Sequence, residues 1–424
     1  MPSDSPSQPS DGPPADSAAR LIERPELLPP PAPPPAPPPR PLAVFLPFLR
    51  LGLTSFGGPA MVAYIRNLAV KKKQWLGGDS FSDGVALCQA IPGATAMQSA
   101  AYVGLKARGF SGAAAAYIGF GLPAFLFMLV LSVLYKYGQE APLILSLFSG
   151  LRAIVVALMA NAVLSFGTTT IKNWWGLPVV AGAAVALFFG INPIYVIFAA
   201  AAVGLALPLK AGVASKPGAE HEPPSKHRSF LRPVLLLLAV AAVVMAILYV
   251  FRPQLFHLAL TMLRVDLFAF GGGFASIPLM QHEVVDVHHW VEAPAFIDGI
   301  ALGQVTPGPI VITATFVGYM FAGLAGAVVA TVAIFLPSFT VLVLVEPYFD
   351  RFKRNRYFRK AIAGILLSFV GLLLAVTVRL GINISWEIWS ILLAVAAFVA
   401  LRLKVDVLWV VVVGGVVSVI IGLL

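Results

Sequence analysis

Cysteine and charged residues are both scarce in this sequence. A single cysteine, Cys88, excludes an intrachain disulfide, a thiolate metal site and a redox pair. Charged residues make up 11% of the 424 positions and hydrophobic residues 59%, far from the balance of a soluble globular domain. The sequence has no paired-histidine metalloprotease motif, Gly-x-Ser-x-Gly elbow or phosphate-binding loop. It therefore indicates neither an enzyme nor an ATP-driven pump, and it indicates no cofactor.

Long apolar runs are what the sequence does contain. Runs of about 20 residues recur from Leu42 to the C-terminus, with short polar breaks between them. They are long enough to cross a lipid bilayer as helices and too continuous for the alternating strands of an outer-membrane barrel. We therefore predict an all-α, multi-pass integral membrane protein with about 12 or 13 membrane segments, some of them broken or re-entrant.

Composition also divides the chain. Residues 1–41 hold nearly half of the 35 prolines and predict a disordered tail. A first transporter repeat is expected over 42–209, a polar linker over 210–230 and a second repeat over 231–424. The formal charge of +10 is concentrated in connecting segments such as 70–75 and 351–360. Such clusters indicate topology and headgroup contact, and no motif for nucleic-acid binding accompanies them.

The two halves of the chain share an internal repeat. "RLGLTSFGG" (50–58) aligns with "RVDLFAFGG" (264–272) at an offset of 214 residues. With one residue gained, Gln89 then aligns with Gln304, and the pair Pro92 and Gly93 with Pro307 and Gly308. Matches this numerous and ordered indicate a duplicated membrane domain.

The segment count predicts that the second repeat is inverted relative to the first. Seven crossings precede the second copy, so it enters the membrane in the opposite sense, an arrangement that places a transport site near the midplane. A cytoplasmic N-terminus puts the linker and the 351–360 cluster inside, as the positive-inside rule requires. The same orientation leaves Lys71, Lys72 and Lys73 outside, against the rule.

Each repeat carries a Pro-Gly break inside an apolar segment. In "QAIPGATAMQ" (89–98) and "QVTPGPIVIT" (304–313) the proline removes a backbone donor, so the helix is expected to end there and a new half-helix to begin at Gly93 to Thr95. The first amides of a half-helix have no helical acceptor, and they bind anions well. The alternative is a simple kink, satisfied by nearby Ser and Thr. Recurrence at the same repeat position favours a binding site.

Two arginines lie inside apolar segments. Arg50 and Arg264 each precede Phe-Gly-Gly by six residues, and a buried arginine in a membrane needs a cavity or a partner. A guanidinium suits a tetrahedral dianion. Snorkelling of Arg50 to the headgroups is the alternative, and close helix packing is the alternative role for the glycines at 57, 58 and 271–273.

Acidic residues suggest proton coupling or helix capping. Asp83 and Asp298 occupy equivalent repeat positions, and "SFSD" and "AFID" predict that they cap helix starts. Asp266, two residues after Arg264, could pair with that arginine and be displaced by substrate. All three are weak candidates for carrying protons. The histidines in 282–289 have no second cluster beside them, so no metal site is expected.

Four blocks of the sequence resemble a known family. "FLRLGLTSFGGPAMVAYI", "WLGGDSFSDGVALCQAIPGATAMQ", "FGGGFASIPLMQHEVV" and "FIDGIALGQVTPGPIVITATFVGY" resemble, in the right order, the paired motifs of the chromate ion transporter family in its long, two-domain form. The resemblance covers about Leu42 to Leu424. It implies an inner-membrane secondary transporter that exports chromate using the proton motive force and confers chromate resistance, with sulfate as a competing mimic.

The family's motif positions carry over residue by residue, with two departures. Ala94 stands where the first-half motif often has a second proline, and Phe274 where many members have histidine after the three glycines. The carried-over positions are Arg50, Phe56, Gly57, Gly58, Pro59, Trp75, Gln89, Pro92, Gly93, Gly271 to Gly273, Gln304, Pro307, Gly308 and Pro309.

The sequence therefore predicts a site for a small oxyanion between the two breaks. Sulfate transport and a passive anion channel remain open, a membrane-embedded enzyme is a distant alternative, and a homodimer is compatible with the sequence. The predicted binding residues are Arg50, Gly57, Gly58, Gln89, Pro92, Gly93, Thr95, Gln98, Ser99, Arg264, Gly271, Gly272, Gln304, Thr306, Pro307, Gly308 and Thr313.

Overall fold

Helices form most of the described chain. The computed structural model describes residues 39–56, 58–138, 141–207 and 231–423, and the described residues from Pro39 onward belong to one unit. Residues 1–38 of the predicted tail, the 210–230 linker and Gly57 lie outside the described residues. Within the described ranges there is no β-strand, only an isolated β-bridge between Pro92 and Phe270.

Eight helices make up the first half and eight more the second, with one helix between them in the described residues. The first half contains α1 (Pro41–Thr54), α2 (Gly58–Arg66), α3 (Gly78–Ala90), α4 (Thr95–Arg108), α5 (Phe110–Gly138), α6 (Pro142–Thr170), α7 (Gly176–Phe188) and α8 (Pro193–Ala206). The intervening helix is α9 (Leu231–Phe251). The second half contains α10 (Pro253–Phe268), α11 (Ser276–Gln281), α12 (Ala293–Val305), α13 (Thr313–Val345), α14 (Phe349–Arg354), α15 (Arg356–Ile382), α16 (Ile388–Arg402) and α17 (Val407–Leu423).

Long apolar helices identify a multi-pass membrane protein. Among the described residues, five helical segments are long and apolar enough to cross a bilayer, and six apolar helices are shorter. The long segments are Phe110–Gly138, Pro142–Thr170, Leu231–Phe251, Ile310–Tyr348 and Arg356–Ile382.

The repeat predicted from the sequence is visible in the helices. Short α1 to α4 precede the long α5 and α6 in the first half, and α10 to α12 precede the long α13 and α15 in the second. Even irregular features recur, since π-helical turns occupy Asn67–Lys72 and His282–Val287. Gly109 and Gly323, 214 residues apart, both have positive φ. The duplication therefore extends to local backbone geometry.

The last two helices of each repeat pack against the other repeat. Helices α7 and α8 lie along α15, and α16 and α17 lie along α6. Small residues permit this: a Cβ on Gly364 of α15 would lie 2.1 Å from the carbonyl oxygen of Ala200 in α8. On the other side, Ser418 Oγ of α17 accepts from the Gly150 amide of α6 at 3.1 Å. Close backbone approach is the usual way in which membrane helices associate.

Equivalent long helices run in opposite directions. The Tyr117 hydroxyl near the start of α5 lies 2.8 Å from Ser338 Oγ near the end of α13. Lys136 Nζ near the end of α5 lies 5.8 Å from the Tyr319 ring centroid near the start of α13. Helices α5 and α13 are therefore antiparallel where they touch.

Candidate functional site

The helix breaks of the two repeats meet each other. The predicted break near Pro92 is confirmed, because α3 ends at Ala90 and α4 begins at Thr95. The Gly93 amide donates to the carbonyl of Ala269 at 2.8 Å, and the Gly308 amide donates to the carbonyl of Ser55 at 3.0 Å. Ser55 and Ala269 are 214 residues apart and end α1 and α10. Each Pro-Gly break is thus hydrogen-bonded to the residue that ends α1 or α10 in the other repeat.

Only glycine fits at the two crossing points. Gly93 and Gly308 both have φ of +117°, a region that other residues rarely adopt. A Cβ on Gly93 would lie 2.2 Å from Ser338 Cβ, and a Cβ on Gly308 would lie 2.6 Å from Ala124 Cβ. The two glycines therefore hold the repeats together. Their amides are used in this contact and are not free for an anion, which corrects the expectation for these two positions.

A cavity of about 700 Å³ lies beside the crossed breaks. Both repeats line it, and its walls combine apolar side chains with glycine backbone and a few polar groups. The predicted binding residues that line it are Gln89, Thr95, Gly271, Gly272, Gln304, Thr306 and Gly308.

Amide and hydroxyl groups supply the polar surface of the cavity. Gln304 is 9% exposed, and its buried Nε2 has no hydrogen-bond partner among the described residues, so its two N–H groups are unused beside the cavity that the residue lines. Gln89, at the equivalent position of the first repeat, is exposed and also lines it. Thr95 begins α4, where the Gln98 amide is the first to reach a carbonyl of the preceding turn, Ala94, at 3.0 Å. The amides before it have no helical acceptor.

The positive charge at this cavity could not be predicted from the repeat. Of the described residues that line it, Lys172 alone is charged. Lys172 follows the end of α6 and has no lysine at the equivalent position of the second repeat, where Trp386 stands. Lys172 is therefore not one of the residues that the two repeats share. Phe274, one of the two departures from the family pattern, also lines the cavity and contacts Phe166 with ring centroids 6.2 Å apart.

Several predicted residues lie elsewhere. Arg50 is on the exposed face of α1, and Arg264 is exposed and lies 3.8 Å from Glu283, so neither arginine lines the cavity. Gln98 is buried and donates to the carbonyl of Pro92 at 2.6 Å. The hydroxyls of Ser99 and Thr313 donate to backbone carbonyls of their own segments, and Pro92, Gly93 and Pro307 are not among the residues that line the cavity. Gly58 begins α2.

The predicted capping role of Asp83 and Asp298 is wrong. Their helices begin five residues earlier, at Gly78 and Ala293, so neither carboxylate is at a helix start. Each instead pairs with a basic residue of the other repeat. Asp83 accepts from Lys353 at 2.8 Å, and Asp298 accepts two bonds from Arg152, both at 2.7 Å.

Asp266 does not pair with Arg264. It is fully buried in the last turn of α10, and its Oδ2 accepts from the Ser338 amide at 2.7 Å. The predicted displacement of this pair by substrate therefore has no structural basis.

Comparison with known proteins connects this geometry to one family. A family model described as chromate transporter matches residues 42–205 and 256–419. An uncharacterized transporter of Methanocaldococcus jannaschii is 42% identical over 370 residues, which are 87% of this chain and 92% of that relative. A chromate transport protein of Cupriavidus metallidurans is 31% identical over 368 residues, 84% of this chain and 86% of that relative. One of Pseudomonas aeruginosa is 29% identical over 381 residues, 84% and 85% of the two chains. No solved structure matches.

Proposed function

Because the chain belongs to the chromate transporter family, we propose that it carries chromate through the cavity between the crossed breaks. The proposal rests mainly on the cavity itself. It is lined by Gln89 and Gln304, which are equivalent residues of the two repeats, and Lys172 is the charged residue among the described lining residues. Its neutral N–H and O–H donors can surround a tetrahedral oxyanion, and Lys172 supplies positive charge at the same wall. Chromate transport also appears in the names of two of the relatives above.

We propose that the repeats are inverted across the membrane. Equivalent helices α5 and α13 run antiparallel in their contact, and α9 adds a single long helix between the repeats. Tyr135, near the far end of α5, donates to Asp298 of the second repeat at 2.9 Å. Lys106 of α4, just before α5 begins, lies 2.5 Å from Glu346, which follows the end of α13. The antiparallel contact of the equivalent helices α5 and α13 supports an inverted relation.

Cross-repeat ion pairs could serve as the gates of alternating access. The pair of Arg152 and Asp298 is supported by Tyr135, while Asp83 pairs with Lys353. Asp298 is 1% exposed and its partner Arg152 30%, whereas Asp83 is 47% exposed, so the carboxylate is buried in the first pair and exposed in the second. Rocking of one repeat against the other would break one pair while the other is kept.

We further propose export driven by the proton motive force across a bacterial inner membrane, with the N-terminus in the cytoplasm. Export would give chromate resistance. Asp83 and Asp298 are held in ion pairs, which leaves Asp266 as the better candidate for proton coupling. Sulfate is the alternative substrate, because the same donors would hold any tetrahedral dianion, and flux of labelled sulfate and chromate in the same vesicles separates the two.

Replacing Lys172 by glutamine is expected to raise the KM for chromate by about fivefold and to leave the maximal rate nearly unchanged, because one charge near a solvated anion contributes about that factor. Lys172→Arg keeps the charge and should keep the wild-type KM. The measurement is initial uptake of labelled chromate into vesicles over a range of concentrations. Equal KM values for Lys172→Gln and wild type would remove Lys172 from the proposed site.

A further inference from the structure

Asp266 is a buried carboxylate with an incomplete set of partners. Its side chain is 0% exposed, Oδ2 accepts from the Ser338 amide at 2.7 Å, and Oδ1 is buried without a hydrogen-bond partner in the described part of the chain. Among the described residues, no lysine, arginine or histidine nitrogen lies within 4.0 Å of it. An ionised carboxylate in this position lacks both a counter-charge and hydrogen bonds to Oδ1, which is costly in a buried, low-dielectric environment.

The groups around Asp266 do not neutralise it. Helix α13 presents Ser338, and α5 presents the Tyr117 hydroxyl, which lies 2.8 Å from Ser338 Oγ.

The charged groups on the helices that pack against α10 face elsewhere. On α10 itself, Arg264 lies 3.8 Å from Glu283, and beyond α11 His282 lies 3.8 Å from Asp286. Helix α9 carries Arg232 and Tyr249, which are exposed. The carboxylate is therefore surrounded by neutral donors and acceptors.

The first repeat shows that the fold does not need this carboxylate. The position equivalent to Asp266 is Gly52, and the position equivalent to Ser338 is Ala124. Gly308 packs on Ala124 just as Gly93 packs on Ser338. The same contact between helix breaks therefore forms once with Asp266 and Ser338 and once with Gly52 and Ala124. Asp266 is thus not needed to hold the repeats together.

We propose that Asp266 is the proton-binding site of the transport cycle; this rests on the proposed function. Its carboxylate takes a proton from water on one side of the membrane and returns it to water on the other, so that one O–H bond is formed and broken. Three residues later, Ala269 accepts from the Gly93 amide, and Gly271 lines the cavity. The proton site and the substrate site therefore share one short segment.

Protonation of Asp266 would shift the equilibrium between a sealed and an open state of the segment from Asp266 to Gly271. In the sealed state seen here, no described residue donates to Oδ1, a lack that costs a neutral carboxyl less than an ionised one. The ionised form needs further donors, which water can supply only when the segment from Asp266 to Gly271 opens. A proton therefore favours the sealed state, and its loss favours the open state, so that the proton equilibrium shifts the conformational one.

The test separates exchange from proton coupling in proteoliposomes. Asp266→Asn is expected to keep exchange of labelled for unlabelled chromate, while an imposed pH gradient no longer increases accumulation and a trapped pH dye shows no proton movement. Asp79→Asn, the same change on an exposed carboxylate of α3, should behave as wild type. Wild-type coupling in Asp266→Asn would overturn the proposal.

Two further measurements test Asp266 as the proton site. If Asp266→Asn cannot be purified, Asp266→Glu should shift the pH profile of gradient-driven accumulation, and an unchanged profile contradicts the proposal. Infrared difference spectra of purified protein between two pH values should show a protonated-carboxyl band that Asp266→Asn or Asp266→Glu removes or shifts. That band without any chromate flux would reject the proposed function and keep the proton site, whereas its persistence unchanged in the variants would reject the proton site.

Discussion

Replacing Gln89 and Gln304 together by leucine is expected to weaken chromate transport by about a hundredfold. Both glutamines line the cavity, and Gln304 Nε2 has no hydrogen-bond partner among the described residues. A hydrogen bond to a charged group contributes about 1.5 kcal/mol at the lower end of its range, so two such bonds correspond to about a hundredfold in affinity. Leucine keeps most of the side-chain volume and removes the donors. Uptake of labelled chromate into vesicles at low concentration measures the loss.

A matched control is available for this double substitution. Gln254 is exposed at the start of α10, and Gln254→Leu should leave uptake at the wild-type rate. Chromate tolerance of a sensitive host should follow the vesicle result, with equal protein in the membrane. Full uptake by the double variant would show that the anion does not pass between the two repeats at this cavity.

Arg152→Met is expected to destabilise the protein strongly, by about 3 kcal/mol or more. Asp298 is 1% exposed and accepts two hydrogen bonds from Arg152. Removing one partner of a buried pair leaves the other charge without compensation, which costs about 3 to 5 kcal/mol. Residual folded protein after heating in detergent, followed by size-exclusion chromatography, measures the effect.

The repeat itself supplies the control for Arg152→Met. Lys353 pairs with Asp83, which occupies the position equivalent to Asp298 but is 47% exposed. Lys353→Met should cost at most about 1 kcal/mol, as is usual for an exposed pair. Restoring neutrality with Arg152→Met and Asp298→Asn together should recover part of the stability lost in the single variant. Equal loss of stability in both single variants would mean that burial does not distinguish the two pairs.

The architecture could be predicted from the sequence because its main signals are local or repeated. Apolar run length indicates membrane helices, and Pro-Gly at equivalent positions locates the breaks at residues 91–94 and 306–309. The repeat then implies that both breaks share one site. The structure agrees, since Gln89 and Gln304 line the same cavity.

The finer placement of site residues depends on helix rotation, which hydropathy does not fix. Gln98 lies one turn beyond the start of α4, and its side chain turns back to the Pro92 carbonyl instead of the cavity. Arg50 lies on the exposed face of α1. Both residues have side chains that could bind an anion. Whether such a side chain faces the cavity depends on how its helix packs against neighbouring helices.

Long-range pairs were equally inaccessible from the sequence. Asp298 and Arg152 are 146 positions apart, and their pairing follows from the packing of α12 against α6. The helix-capping role predicted for Asp298 was wrong because Asp298 lies five residues after the first residue of α12. Lys172 belongs to one repeat only, so a comparison of the two halves emphasises every shared residue and overlooks it.

Flux of labelled chromate in proteoliposomes tests the central claim most directly. We expect chromate uptake that an imposed pH gradient accelerates, that excess unlabelled chromate abolishes, and that the double substitution of Gln89 and Gln304 by leucine weakens by about a hundredfold. Chromate flux equal to that of protein-free liposomes with the purified wild-type protein would contradict it.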